Sequence, residues 1–221
     1  MRLFQSLSVG IVLAIALCTP AKADATLPAV PLISSTVWNA TEHKQYVLPR
    51  VYHPTDVKSN NLKLVYEIAE PFGCPEIMQG ILLQESNGGA IKSLVGSPNA
   101  PPGKRSYGLM QVQVVAARWV FKQHPDLLQE YFPQRDMNDV RDREIINLLL
   151  SNHPANVTIA VHHYALYLQM LDGDHTRTIA AYNVGIGGVQ KLKRPHQFKY
   201  VVEVKRKIKE VVKPFNAMYS F

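Results

Sequence analysis

A mainly α fold with at most a small β element is the class this sequence predicts, and three observations predict it. Val157, Val161, Tyr164, Leu168 and Leu171 step by four, three, four and three residues, and Gly173 follows as a stop; this is the spacing of a helix buried along one side. Val201, Val204, Ile208 and Val211 repeat that spacing beside Lys205, Arg206, Lys207 and Lys209, which makes an amphipathic basic helix whose charges are most simply a solvated face. Only "MQVQV", residues 110–114, alternates with the period of a strand, and the "VVAARWVF" that runs on from it suits a helix. A length of 221 residues suits one domain with a sizeable core.

Taken in chain order, residues 1–23 open with Arg2, run apolar from Val9 to Leu17 and reach Ala21-Lys22-Ala23, a small-residue cleavage site. They are expected to be an export signal cut before Asp24. The apolar run is too short for the ~20 residues a spanning helix needs, so no stable membrane anchor is expected. Cys18 does not restore one, because Leu17 before it is not the small residue that lipoprotein processing requires. Without the leader Cys74 is the one remaining cysteine. No intrachain disulfide is then available, and a small buried hydrophobe rather than a reactive thiol is its expected role.

Residues 24–60 are rich in Pro, Thr and Ser without a sustained period and are expected to form an extended arm; the domain proper is expected over 61–221. "NLKLVYEIAEPF" reads as its first helix, broken near Pro71 and Gly73, and Pro75 has the place of a first-turn proline in the next. The formal net charge is +7, with "QKLKRPHQFK" and "VKRKIKE" carrying much of the excess. No nucleic-acid motif accompanies it and the export signal argues against one, so an anionic extracellular polymer or a membrane surface is the expected partner of that charge.

The stretch "GILLQESNGG", residues 80–89, raises the chemical question. At about 100° per residue, Met78, Ile81, Leu82 and Glu85 fall on one helix face, so a carboxylate grows out of an apolar stripe just before a Ser-Asn-Gly-Gly turn. Desolvation and the negative end of the helix dipole both disfavour its ionised form. A carboxyl with a raised pKa is a general acid available near neutral pH. A glutamate at an exposed helix end, or one paired with a buried base, is the competing reading.

"LLQESNGG", "SYGLMQVQ" and "IAAYNVGIGGVQKL", in this order, resemble the successive motifs of the soluble-lytic-transglycosylase (SLT) domain family. The likeness spans about residues 60–212, with "NVTIAVHHYALYLQML" similar to the family's long helix and "KYVVEVKRKI" to its C-terminal one. It implies a lysozyme-like single catalytic domain that cleaves peptidoglycan glycan strands in the bacterial periplasm. Glu85 then matches the acid/base, Ser86 the serine beside it with an expected substrate-binding role, Gln111 a glutamine at the saccharide groove, and Tyr182 and Asn183 the pair flanking the catalytic carboxyl. On residue type alone Met110 is a core residue, Gly108, Gly185 and Gly187 serve turns, and Tyr182 and Asn183 cap a helix equally well. Val112, Gln113 and Val114 stand where the family often has Ile, Met and Pro, which makes Gln113 a variable groove contact. His163 stands near a position where many members carry tyrosine; a groove residue and a structural histidine are both open. "SLVGSPNAPPGKR" is longer than the usual connection and is expected on the groove rim.

Neither downstream motif brings a second carboxylate, whereas ordinary glycosidases use two. Family members manage with one. Glu85 would protonate the glycosidic oxygen and then take the proton of the N-acetylmuramic acid C6 hydroxyl as that oxygen attacks C1, closing a 1,6-anhydro ring without water, metal or cofactor. His153, His162, His163 and His175 invite a zinc reading, but adjacent histidines diverge on a helix and no His-Glu-x-x-His pattern is present. Two further readings stay open: a hydrolase of goose-lysozyme type, and a peptidoglycan-binding component without turnover. Small members of the family accompany secretion, conjugation or pilus machinery, and general wall turnover is the alternative role.

Overall fold

The computed structural model describes residues 57–90 and 94–219. The expected leader and residues 24–56 of the expected arm lie outside them. Helix α1 runs Val57–Ala69, so residues 57–60, read from the sequence as the end of the arm, are already helical. A short 3-10 turn, Glu70–Phe72, follows and Gly73 closes it at φ 66°. Pro75 then opens α2, Pro75–Ser86, at the position where a missing N–H costs nothing.

Three two-residue strands follow, β1 (Val95–Gly96), β2 (Ser106–Tyr107) and β3 (Val112–Gln113). They pair antiparallel in that order, with Val95 opposite Tyr107 and Tyr107 opposite Val112. The period-two stretch at 110–114 is therefore a strand for only two of its residues. Met110 and Gln111 belong to the β2–β3 turn, and Val114 begins α3, Val114–Gln123. Helices α4 (Pro125–Tyr131) and α5 (Asp142–Ser151) come next. Arg118 ties α3 to the start of α5 through Asp142 at 2.6 Å and the Val140 carbonyl at 2.6 Å.

Helix α6, His153–Met170, is the axis of the domain. The apolar steps from Val157 placed its burial on one side; in the structure Ala155 to Val157 and Ile159 to Tyr164 are all buried. Helices α1, α3, α5 and α7 (His175–Val189) all pack against it, so burial extends round most of the helix between Ala155 and Tyr164. Such a helix loses most of its amphipathic signature because most of its faces are inner ones.

The C-terminal segment comprises α8 (Lys199–Lys207), a π turn (Ile208–Val212) and α9 (Lys213–Tyr219). A π turn adds one residue to the helical count, and the buried stripe moves accordingly: Val201, Val204 and Val212 are buried, while Val211 is only half-buried. Two buried amides lock α9 to α2. Gln79 donates to the Asn216 side chain at 3.0 Å and to the Leu62 carbonyl at 3.0 Å, and Asn216 donates back to Gln79 at 2.9 Å. Helix α2 thus lies between α1 and α8.

Candidate active site

Met78, Ile81 and Leu82 have no solvent exposure, and Glu85, on the same face of α2, is half-buried where that stripe reaches a groove. The helix ends at once: Asn87 adopts φ 50°, and its N–H closes on the carbonyls of Leu82 and Leu83. Asn61 of α1 fixes the turn by donating to the Gly88 carbonyl at 2.9 Å. Burial holds the Glu85 carboxyl above its ordinary range, opposed by a hydrogen bond from Tyr200 and by the charge of Lys207. The Tyr200 hydroxyl donates to Oε1 of Glu85, and Tyr200, itself buried, is pushed well above the usual phenol value by burial and by that carboxylate. The helix end expected to add to the rise carries a counterweight, because Lys207 Nζ donates to the Leu83 carbonyl at 2.8 Å.

Ser86 does not reach the groove. It is fully buried, and its hydroxyl donates to the Leu82 carbonyl at 3.3 Å while accepting the Gly89 N–H at 3.0 Å. The substrate-binding role expected for it is corrected: one residue beyond Glu85 is 100° further round the helix, and that direction points into the protein.

The Gly-Leu-Met-Gln turn is built by partners from two helices. Gly108 sits at φ 80°, where a Cβ would lie 2.3 Å from the Leu149 carbonyl and 2.3 Å from Asn156 Nδ2, so only glycine fits. Asn156 of α6, fully buried, accepts the Met110 N–H at 2.8 Å and donates to the Tyr107 carbonyl at 2.9 Å. The Tyr182 hydroxyl donates to the Met110 carbonyl at 2.9 Å. Met110 is a core residue. Gln111, at φ 50°, lines the groove, but its amide holds the turn: Nε2 donates to the carbonyls of Gly108 at 2.8 Å and Leu94 at 3.2 Å, and Oε1 accepts from Ser106 at 2.8 Å.

The groove these elements enclose has a volume of about 660 Å³. Gln113 and Asn183 line it as exposed amides. His163 lines it as the centre of an aromatic wall, with Tyr167 at 4.3 Å, Trp119 at 5.7 Å and Tyr182 at 5.7 Å between ring centroids. Burial pushes the His163 imidazole down to about 4, so at neutral pH it is an uncharged ring. Both readings left open for His163 therefore hold together: it is packed, and it lines the groove. Among the described residues Glu85 is the only carboxylate lining this groove and Lys104 the only lysine or arginine.

Six residues picked out from the sequence, Glu85, Gln111, Gln113, His163, Tyr182 and Asn183, thus share one groove, and Ser86 lies behind it. Tyr200, Lys207, Trp119, Tyr167 and Asn156 were not picked out. Tyr200 and Lys207 sit inside an amphipathic helix whose basic face reads as solvated, and Asn156 is a single polar letter in an apolar run; pairing across more than forty residues leaves no local mark on such positions. The remaining histidines do not assemble. His162, pushed down to about 3 by burial and by His124 beside it, packs against Phe72 and His124, while His175 meets the Tyr164 hydroxyl at 2.9 Å. Among the described residues no group of three or more His, Cys, Asp or Glu is placed to hold a metal ion. Cys74 is buried and its thiol is pushed up to about 12 by desolvation, which makes it a packing residue rather than a nucleophile. No family model matches the chain, and no curated protein and no solved structure matches it.

Proposed function

We propose that this protein is a peptidoglycan lytic transglycosylase that uses Glu85 as its single acid/base on the glycosidic bond between N-acetylmuramic acid and N-acetylglucosamine. The observation that carries this reading is a carboxyl raised by burial that is, among the described residues, the only carboxylate of an aromatic and amide-lined groove. A carboxyl raised by burial keeps a proton to give to a leaving oxygen. Rings and amides that line one groove suit a sugar, whose ring has apolar faces and polar edges.

With one carboxylate, the step balances as follows. The Glu85 proton passes to the glycosidic oxygen as the C1–O bond breaks, and the substrate's own N-acetyl group bears the developing positive charge. The Glu85 carboxylate then removes the C6 hydroxyl proton while O6 bonds to C1. The acid is restored and no water enters. An intramolecular hydroxyl has effective molarities of up to ~10⁵–10⁸ M, enough to outcompete water where the groove holds the geometry.

Purified sacculi digested with the protein test this. The main soluble products should be 1,6-anhydromuropeptides with little gain in reducing ends, and Glu85→Gln should fold and lose about 10²–10⁴ in rate. Products ending in reducing N-acetylmuramic acid would make water the acceptor and the protein a hydrolase. Binding to sacculi with no soluble product would make it a wall-binding component without turnover.

A further inference from the structure

Gly80 leaves room on α2 for side chains of the C-terminal helical segment. A Cβ at Gly80 would lie 2.6 Å from Ile208 Cγ1 and 3.2 Å from Val204 Cγ1, so side chains of α8 and of the π turn after it occupy the space that any other residue at 80 would fill. Two groups of α8 reach the end of α2. Tyr200 donates to the Glu85 carboxylate, and Lys207, two helical turns further on, donates from Nζ to the Leu83 carbonyl at 2.8 Å. The last carbonyls of a helix carry its negative end, where a cation is favourable. Directly after Lys207 the helix goes over to the π turn Ile208–Val212, and such turns are frequent where a helix serves a site.

Lys207 stands apart from the other cations of its helix. Arg206 is spent on Glu203 at 2.9 Å and Glu210 at 2.5 Å, and Lys205 donates to the Thr176 hydroxyl at 2.9 Å. Lys207 alone turns inward, half-buried, to the backbone of the helix that carries the acid.

We propose that Lys207 is a positioning residue for Glu85: it caps the C-terminal end of α2 and holds a positive charge at the helix end that carries the carboxylate, so that one helix supplies both the hydroxyl and the cation that set how firmly Glu85 keeps its proton. This rests on Glu85 as the acid/base of the proposed reaction. The groups facing the pair are few. Tyr200 and Lys207 reach Glu85 from α8 and Tyr182 reaches it from α7; Glu203 and Arg206 of α8, Lys58 of α1 and Glu85 itself act on Lys207. Burial raises the carboxyl; the Tyr200 hydrogen bond and, after it, the Lys207 charge pull it back. Removing the Lys207 charge shifts the carboxyl towards its protonated form and away from the base that the second half of the reaction needs.

The test reads the proton rather than turnover. In the full chain labelled with ¹³C at the glutamate side-chain carboxyl, the Glu85 resonance is identified by its loss in Glu85→Gln and followed against pH. In Lys207→Met and Lys207→Gln its midpoint should move upward, and in Lys207→Arg, which keeps the charge, it should return towards wild type. Lys207→Gln retains an amide donor for the Leu83 carbonyl, so it removes charge with the least loss of the cap. Midpoints equal to wild type in both neutral variants would overturn the proposal and leave Lys207 a helix cap. Because no substrate is present, a protein that gave no anhydro product would fail the functional reading while leaving this titration to be judged separately.

Discussion

The Tyr200 hydroxyl donates to Oε1 of Glu85 from a helix 115 residues further along the chain. This bond stabilises the ionised carboxylate and opposes the rise caused by burial. Tyr200→Phe removes it and leaves the ring packing in place. The Glu85 midpoint should rise, and the pH above which the acid form is lost should move up with it. A pH profile of sacculus digestion by Tyr200→Phe, compared with wild type, checks this; an unmoved alkaline limb would mean that Tyr200 only packs.

Glu85→Gln should stabilise the protein in a pH-dependent way. Burial raises the folded carboxyl above its ordinary value of 4.5. The wild type then keeps the full stability of a protonated Glu85 below that value and loses it as pH rises through the folded one. Glutamine does not titrate. The melting temperatures of the two proteins should differ by a constant amount in acid, and the difference should move in favour of Glu85→Gln as pH rises across that window.

Trp119 stands against Tyr167 at 5.6 Å between ring centroids on the groove wall. If this wall receives a pyranose ring, Trp119→Ala should raise KM for glycan strands about tenfold, the factor equivalent to ~1.4 kcal/mol, with a smaller change in kcat. Trp119→Phe should recover part of the loss. Steady-state kinetics on soluble glycan strands would show it, and equal KM values would remove the wall from the binding site.

Ser86→Ala should cost stability rather than chemistry. The hydroxyl accepts the Gly89 N–H at 3.0 Å, and losing a cap of this kind costs about 0.5–2 kcal/mol. Denaturant unfolding should show that loss while the folded variant keeps its KM. A raised KM with unchanged stability would return Ser86 to the groove.

Gly80→Ala should be harsher than its single methyl suggests. The added Cβ meets Ile208 Cγ1 at 2.6 Å, and overpacking of this sort costs about 1–3 kcal/mol. Because α8 must give way, Tyr200 and Lys207 should withdraw with it. Activity should fall along with stability, whereas a variant equally destabilised at Ala117 of α3, a core residue, should keep its activity when folded.

The basic run 205–209 shows how far local reading reaches. As letters it is a charged face on an amphipathic helix, and Arg206, paired with Glu203 and Glu210, fits that description. Lys207 does not, because the direction of a side chain on a helix depends on what lies opposite. The same limit explains Val211 and Val212: a 3.6-residue period places the first in the core, and the π turn gives that place to the second.

By itself the sequence determined what short-range physics controls. Helical spacing marked α1, α2, α6 and α8, Pro75 marked a helix start, and the Ser-Asn-Gly-Gly turn marked where α2 must stop, so Glu85 could be singled out as a carboxyl at the end of an apolar stripe. Gly108 and Met110 were legible for the same reason, being set by backbone geometry and apolar character. Only the tertiary structure decided which groups surround Glu85. The bond from Tyr200, the cation at Leu83, the inward turn of Ser86 and the grip of Asn156 on the Met110 turn each join positions far apart in the chain. Burial and long-range pairing set the proton affinity of a carboxyl, and neither exists until the helices have packed.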